Sequence, residues 1–261
     1  MDDRPYFITV EEAQSISNQT PPTLRIEHLP IEACSGRVLA EDLASKVNDP
    51  PFDNSAMDGF ACRFDAEAVY PCTLTVVGLQ AATGENDAIE VGPGEAVRIM
   101  TGAPMPPGAD AILPIERCTV NDTTVVLLDP PKPHFVRKLG ENLTKGTTAL
   151  TKGQRLTPAR VGLCATMGHA TVPVFQRLRI AIVSTGDELK SPGEPLSHGE
   201  IYESNSYGLA GLVEWSGHTP VRFPAVADTM DELRKALTEA AETCDLILTS
   251  GGVSMLSLIH I

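Results

Sequence analysis

The segment RIAIVSTGDEL, residues 179–189, sets four apolar residues in a row (Ile180 to Val183) directly before two hydroxyls, a glycine and two acids. A short β-branched run of this kind reads as a strand buried on both faces, as in a parallel sheet. Downstream, Ser206 to Trp215 carries Leu209, Leu212 and Val213 at helical spacing and stops at Gly217. VRFPAV (221–226) reads as the next strand. Met230 to Glu242 then reads as a helix, with Leu233, Ala236, Leu237, Ala240 and Ala241 on one face and Thr229 with Glu232 as its capping box. LILTS (246–250) closes the series. Strand, helix, strand, helix, strand predicts an open, mainly parallel α/β sheet.

In such sheets ligands bind beyond the carboxyl ends of the strands. The first strand ends in Ser184, Thr185, Gly186, Asp187 and Glu188. The second leads to Asp228, and the third to Ser250, Gly251, Gly252, Val253 and Ser254. Glycine N–H groups and serine hydroxyls suit an anion. Carboxylates suit Mg²⁺, which can bridge to phosphate or an oxyanion. Each feature alone has a plainer use: Asp228 precedes a helix whose dipole favours a carboxylate, and Gly251-Gly252 fits a tight turn. GPGEAV at Gly92 lacks the third glycine of a dinucleotide fingerprint, and there is no P-loop lysine motif.

Upstream the pattern is different. From Val47 to about Gly146, short β-rich runs (CTLTVVGL, AVRIM, DAILPIE, TTVVLL) alternate with Gly, Pro, Asn and Asp clusters, which predicts a compact β module. Two irregular segments stand out in it: PFDNSAMDGFA, Pro51 to Ala61, and RIMTGAPMPPGADAILP, Arg98 to Pro114. Both are too polar for core strands and too proline-rich for helices, the character of rigid loops that hold a site. Pro158 begins a helix that Gly168 ends. At the N-terminal side, Thr9 and Glu12 make a capping box for a helix from about Val10 to Asn18, and helical character is expected again near Ile31 to Ala44.

Composition narrows the classes. At 261 residues the chain is long enough for two cores, and its 42% hydrophobic and 21% charged content is that of a soluble globular protein. A net charge of −14 leaves no basic patch for nucleic acid or an anionic membrane. No signal peptide and no membrane-spanning run are evident. The six cysteines are scattered without a C-x-x-C pair, which points to free thiols in the cytoplasm, and neither they nor the six histidines show metal-ligand spacing.

PFDNSAMDGFA, RIMTGAPMPPGADA, STGDEL and TSGGVS, in this order and spacing, resemble the molybdopterin molybdenumtransferases, the MoeA and gephyrin E-domain family. The resemblance runs from about Phe7 to Ser254, and the first two segments are specific to that family. It implies a multidomain α/β plus β fold: an elongated linking domain, an inserted β domain, a three-layer α/β domain of molybdopterin-binding type, and a C-terminal β domain. On this chain that layout gives an N-terminal helix and linking segment over 1–46, the inserted β domain over 47–146, a return segment over 147–176 and an incomplete α/β domain over 177–261. The short N-terminal helix would pack on the α/β domain.

The implied activity is insertion of molybdate into adenylylated molybdopterin with release of AMP and help from Mg²⁺. Matched by motif, Asp58, Thr101, Glu188 and Asp228 are the expected active-site groups, with Glu188 and Asp228 on the Mg²⁺ side. Ser184, Thr185, Gly186, Asp187, Ser250, Gly251, Gly252 and Ser254 would contact substrate, and Asn142 stands where many relatives have an acid. The family is homodimeric, with a site formed between the α/β domain of one subunit and the inserted domain of the other, and other cofactor-synthesis enzymes are candidate partners. Relatives continue after GGVS with another acid, a lysine-bearing segment and a final domain, whereas this chain reads MLSLIHI over 255–261. The expectation is therefore a truncated, inactive fragment, or else a short variant whose tail pairs as a strand. A non-catalytic molybdopterin-binding scaffold is the alternative function. A molybdopterin adenylyltransferase is disfavoured, because TSGGVS replaces the GGTG-type loop of that class.

Overall fold

The computed structural model describes residues 8–19, 21–82 and 89–251. In chain order the elements are α1 (Val10–Gln19), β1 (Ile26–Pro30), β2 (Leu43–Ala44), β3 (Asn54–Ser55), β4 (Gly59–Cys62), β5 (Cys72–Gln80), β6 (Glu95–Ile99), β7 (Ala111–Pro114), β8 (Cys118–Val120) and β9 (Thr124–Leu127). They continue as β10 (Val136–Arg137), β11 (Thr148–Leu150), α2 (Pro158–Thr166), β12 (Thr171–Phe175), β13 (Arg179–Ser184), β14 (Leu189–Lys190), β15 (Ile201–Tyr202), α3 (Asn205–Trp215), β16 (Thr219–Arg222), α4 (Met230–Thr243) and β17 (Leu246–Ser250). The chain divides into two compact units, residues 41–172 and residues 1–40 with 173–261. This is a multidomain α/β plus β protein.

The 41–172 unit is built on a six-stranded mixed sheet in the order β7-β4-β6-β5-β9-β8, in which only β5 and β6 run parallel. β5 alternates half-buried and exposed residues along CTLTVVGL, the period-2 pattern of a strand with one covered face. Phe60, Cys62, Ala96, Leu113, Val125 and Leu127 form the core beneath that sheet. Gly59 is where β4 comes nearest to β7: a Cβ there would lie 2.2 Å from the Leu113 carbonyl oxygen. Further along the unit, Thr157 caps α2, with its side chain accepting from the Arg160 N–H, and Pro158 occupies the first turn, where it gives up no helical hydrogen bond.

The other unit contains a three-stranded parallel sheet in the order β16-β13-β17. β13 is its centre, buried from Ile180 to Ser184. α3 lays Leu209, Ala210 and Val213 against Ile180 and Ile182, and α4 packs against β13 and β17. At α4 the Thr229 hydroxyl accepts the Glu232 N–H, as the capping pattern predicts. The Thr9–Glu12 box at α1 is closed in both directions, by the Thr9 N–H to the Glu12 carboxylate and the Glu12 N–H to the Thr9 hydroxyl. Among the described residues no helix is long and apolar enough to cross a membrane.

Two local expectations are corrected. Ile31 to Ala44 is not helical: it holds one 3₁₀ turn, Ile31–Ala33, and then extends, with Leu39 bridging Val174 and the Ala40 N–H donating to the Pro173 carbonyl. Cys34, Leu39, Ala40 and Leu43 are all buried, so tertiary pairing outweighs the helical spacing of those residues. The strand expected over 221–226 ends at Arg222. Pro224 has no N–H to give a ladder, and the chain rejoins the sheet only through a bridge between Val226 and Thr185. Gly59→Ala is expected to lose about 3 kcal/mol of stability, because the methyl meets backbone that cannot yield; urea unfolding of the purified chain measures it.

Candidate functional site

The 41–172 unit zips its two irregular loops together. The Ser55 N–H donates to the Ala103 carbonyl, Gly102 N–H to the Ser55 carbonyl, and Met105 N–H to the Asp53 carbonyl. That pairing delivers Thr101 onto Asp58: both the Thr101 N–H (2.6 Å) and its hydroxyl (2.7 Å) donate to Asp58 Oδ1. The Thr101 hydroxyl, then its N–H, hold the Asp58 carboxyl below the usual carboxylate range. Both residues are exposed, so the pair is an ionised acid with one fixed oxygen, presented to solvent. Asp53 is held by the Lys138 ammonium (2.8 Å) and the Leu139 N–H (2.8 Å). Asn142 is occupied elsewhere, its amide donating to the Asp49 carboxylate at 2.9 Å.

In the α/β unit the parallel register sets Ser184 opposite Ser250, so the loops after β13 and β17 emerge side by side. The Thr185 N–H donates to the Ser250 carbonyl and the Gly186 N–H to the Val226 carbonyl, drawing the 226–228 segment to the same edge. The Asp228 N–H donates to Asp187 Oδ1 at 3.1 Å. Gly251, at φ +99°, packs so closely that a Cβ would lie 2.6 Å from the Thr185 carbonyl oxygen. This is a close backbone approach that only glycine allows. Ser184, Thr185, Gly186, Asp187, Asp228, Ser250 and Gly251 thus share the carboxyl edge of the sheet, with Glu188 next to Asp187. Among the described residues, two buried side-chain oxygens of this edge have no hydrogen-bond partner: Thr185 Oγ1 and Asp228 Oδ1. Gly252 and Ser254, with the 255–261 tail, lie outside the described residues.

Two charged residues escaped the sequence reading. Glu203, 6% exposed, accepts from the Ser184 hydroxyl (3.1 Å), the Ser206 N–H (2.7 Å) and the Ser206 hydroxyl (2.5 Å). Burial pushes its carboxyl up, but these donors and the Arg222 charge outweigh it and leave the group below the ordinary glutamate range. Arg222 donates to the Ser206 hydroxyl at 2.8 Å and stacks 3.4 Å over the Tyr207 ring. The fixed carboxylate therefore clasps the end of β13 to the start of α3, and the Asn205 amide ties α3 to the Ser250 hydroxyl at 2.9 Å. The signal available was YESNS, residues 202–206, a polar run at a helix start that nothing marked as buried. Lys190 is engaged by Glu200 at 3.3 Å.

A mixed β unit with a solvent-facing acid and hydroxyl, joined to a parallel α/β unit with acids and a glycine at its strand ends, defines a multidomain α/β plus β protein. Residues 8–168 match the family model described as "MoeA N-terminal region (domain I and II)", and residues 181–257 match the "Probable molybdopterin binding domain". The chain belongs to the MoeA family. It is 38% identical over 253 residues to the molybdopterin molybdenumtransferase of Haemophilus influenzae, covering 95% of this chain and 62% of the relative. It is 39% identical to molybdopterin molybdenumtransferase 2 of Mycobacterium tuberculosis, covering 94% and 62%. The crystal structure of the molybdopterin biosynthesis moeA protein of Pyrococcus horikoshii OT3 superposes with a TM-score of 0.84 at 31% identity, covering 95% of this chain and 66% of that one. The chain thus spans about 62% of the length of the curated relatives it matches.

Two consequences are measurable. Thr101→Val removes the hydroxyl donor but keeps the N–H, so the Asp58 pKa should rise toward the ordinary value of about 3.9; a carboxyl ¹³C titration reads it. Glu203→Ala leaves Ser184, Ser206 and Arg222 without their acceptor and should cost about 3 kcal/mol, read by urea unfolding at neutral pH. A carboxyl held low contributes stability above its unfolded pKa and loses it as pH falls through the folded value. The deficit of Glu203→Ala relative to wild type should therefore shrink below about pH 4.

Proposed function

We propose that this chain serves molybdenum cofactor biosynthesis, as part of an enzyme that inserts molybdate into adenylylated molybdopterin and releases AMP. The observation that carries this reading is the pair of buried, unpartnered oxygens, Thr185 Oγ1 and Asp228 Oδ1, at an edge already rich in carboxylates and backbone N–H groups. Buried polar atoms need partners, and a bound ligand is one source of them.

The donor set fits Mg²⁺, a hard cation that takes one or two carboxylates and completes its shell with substrate phosphate and water. Glu188 and Asp228 would hold it. Among the described residues no three His, Cys, Asp or Glu side chains converge into a metal site of their own, so Mg²⁺ here would have to take further ligands from its substrate. When bound, it would neutralise charge on phosphate and molybdate oxygens. Ser184, Thr185, Gly186, Asp187, Ser250 and Gly251 would orient the nucleotide and pterin portions, a role the family resemblance also gives to Gly252 and Ser254. Molybdate, dithiolene and phosphate are all electron-rich, so positioning and charge neutralisation do more here than a strong nucleophile would.

In the homodimer this reading requires, Asp58 and Thr101 of one subunit serve the acidic edge of its partner. Asp58 with one oxygen fixed would present the other as an acceptor to a substrate N–H or O–H. Asn142, whose amide N–H donates to Asp49, would contact substrate through its carbonyl oxygen. Residues 47–146 are read as the inserted module, with 1–46 and 147–176 as the linking segments and 177–261 as the α/β part. Among the described residues no disulfide joins the six cysteines, which suits the reducing cytoplasm.

The test joins this chain to the C-terminal region of the Haemophilus influenzae relative and measures AMP release from adenylylated molybdopterin with Mg²⁺. Molybdate-dependent release is expected, and Asp228→Asn should lower it about 100-fold. Release indifferent to molybdate, or to Asp228→Asn, would contradict the reading.

A further inference from the structure

The six-stranded sheet carries a concavity at the end remote from Asp58 and Thr101. β4 starts beside Asp58 and finishes at Cys62, while β6, antiparallel to it, starts at Glu95 and finishes just before Thr101. Cys62 and Glu95 therefore share one end of the strand pair, and Asp58 and Thr101 the other. Four residues at about 3.3 Å each separate them. A cavity of about 460 Å³ opens at the Cys62–Glu95 end, in the size range of small-molecule sites.

We propose that this cavity is a binding site for a small organic cation with a flat, apolar body, of the amidine or aromatic-amine class. Cys62, Leu74 and Leu127 line it, with Leu74 and Leu127 supplying apolar surface. The Cys62 thiol is neutral there: burial, then the neighbouring thiol of Cys72, push it up to about 12. Phe64 and Tyr70 also line the cavity, and aromatic side chains attract a cation as well as a flat ligand. The fixed charges favour the same sign. Glu95 has one carboxylate oxygen held by the Gly92 N–H (2.9 Å), and Asp65 has one held by the Glu67 N–H (2.9 Å). Each keeps a second oxygen for a ligand. Arg63 lines the cavity too, so the two acids leave one net negative charge around it, on a chain whose own charge is −14. An anion would be repelled, and a neutral ligand would leave the carboxylates unused.

Benzamidine is the probe, titrated into the whole chain while the backbone amides of Phe64, Gly92, Gly94 and Glu95 are followed by NMR. Saturable shifts at these amides with a millimolar Kd are expected. The neutral isostere benzamide should bind about fivefold more weakly or worse, and the shape-conserving pair Asp65→Asn with Glu95→Gln should weaken benzamidine by a similar factor. Three results would overturn the proposal: no saturable shift at these amides, benzamide binding as tightly as benzamidine, or shifts concentrated at Asp58 and Thr101.

Discussion

The parallel ladder between β13 and β17 is the constraint from which the candidate site follows. Ile180 faces Leu246 and Ser184 faces Ser250, and the register between is continuous. A one-residue slip would exchange the face of Ile180 and Ile182, which fits α3, for that of Ala181 and Val183, so side-chain fit on two covered faces enforces this register. Once it is set, the residues after Ser184 and Ser250 leave the sheet at the same level, and the Val226 bridge draws in Asp228. Hydroxyls, acids and a glycine from three distant stretches of sequence then converge without any of them forming a motif by itself.

Glu203 holds that convergence in place. A buried carboxylate needs compensation, and here three donors and a nearby guanidinium supply it. The same group occupies the positive end of α3, bonding the Ser206 N–H, so the helix start already has its anion. A substrate anion at this edge would therefore depend on the N–H groups and hydroxyls around Thr185 and Ser250, or on a cation brought in beside Asp228. In the other unit the equivalent economy is between Asp58 and Thr101, at the same end of the adjacent strands β4 and β6, where one segment lends a hydrogen-bonded acid and the other its donor.

Much of this was legible in the sequence, for identifiable reasons. RIAIVS and LILTS are pure apolar runs, and Thr229 with Glu232 fixes the start of α4, so strands and helix fall where periodicity and capping put them. The segments Pro51–Ala61 and Arg98–Pro114 could be picked out by their proline and acid content, but they are not loops throughout: Gly59–Ala61 and Ala111–Leu113 lie in the buried strands β4 and β7, and the zipping between the irregular parts leaves no periodic trace. Ile31–Ala44 misled because Leu39 and Ala40 stand at helical spacing from Leu43, yet Leu39 and Ala40 pair with a segment more than a hundred residues later. Glu203 was invisible for the opposite reason: an acid in a polar run reads as exposed, and only the arrival of Ser184 and Arg222 in space makes it a buried hub.

If the carboxyl edge of the three-stranded sheet takes the ligand, AMP and Mg²⁺ together should protect it, which hydrogen exchange read by mass spectrometry with and without them shows. Slowed exchange is expected in peptides covering 184–188, 226–228 and 250–251, with loss of that protection in Asp228→Asn. Protection confined to other segments, or unchanged by Asp228→Asn, would contradict binding at that edge.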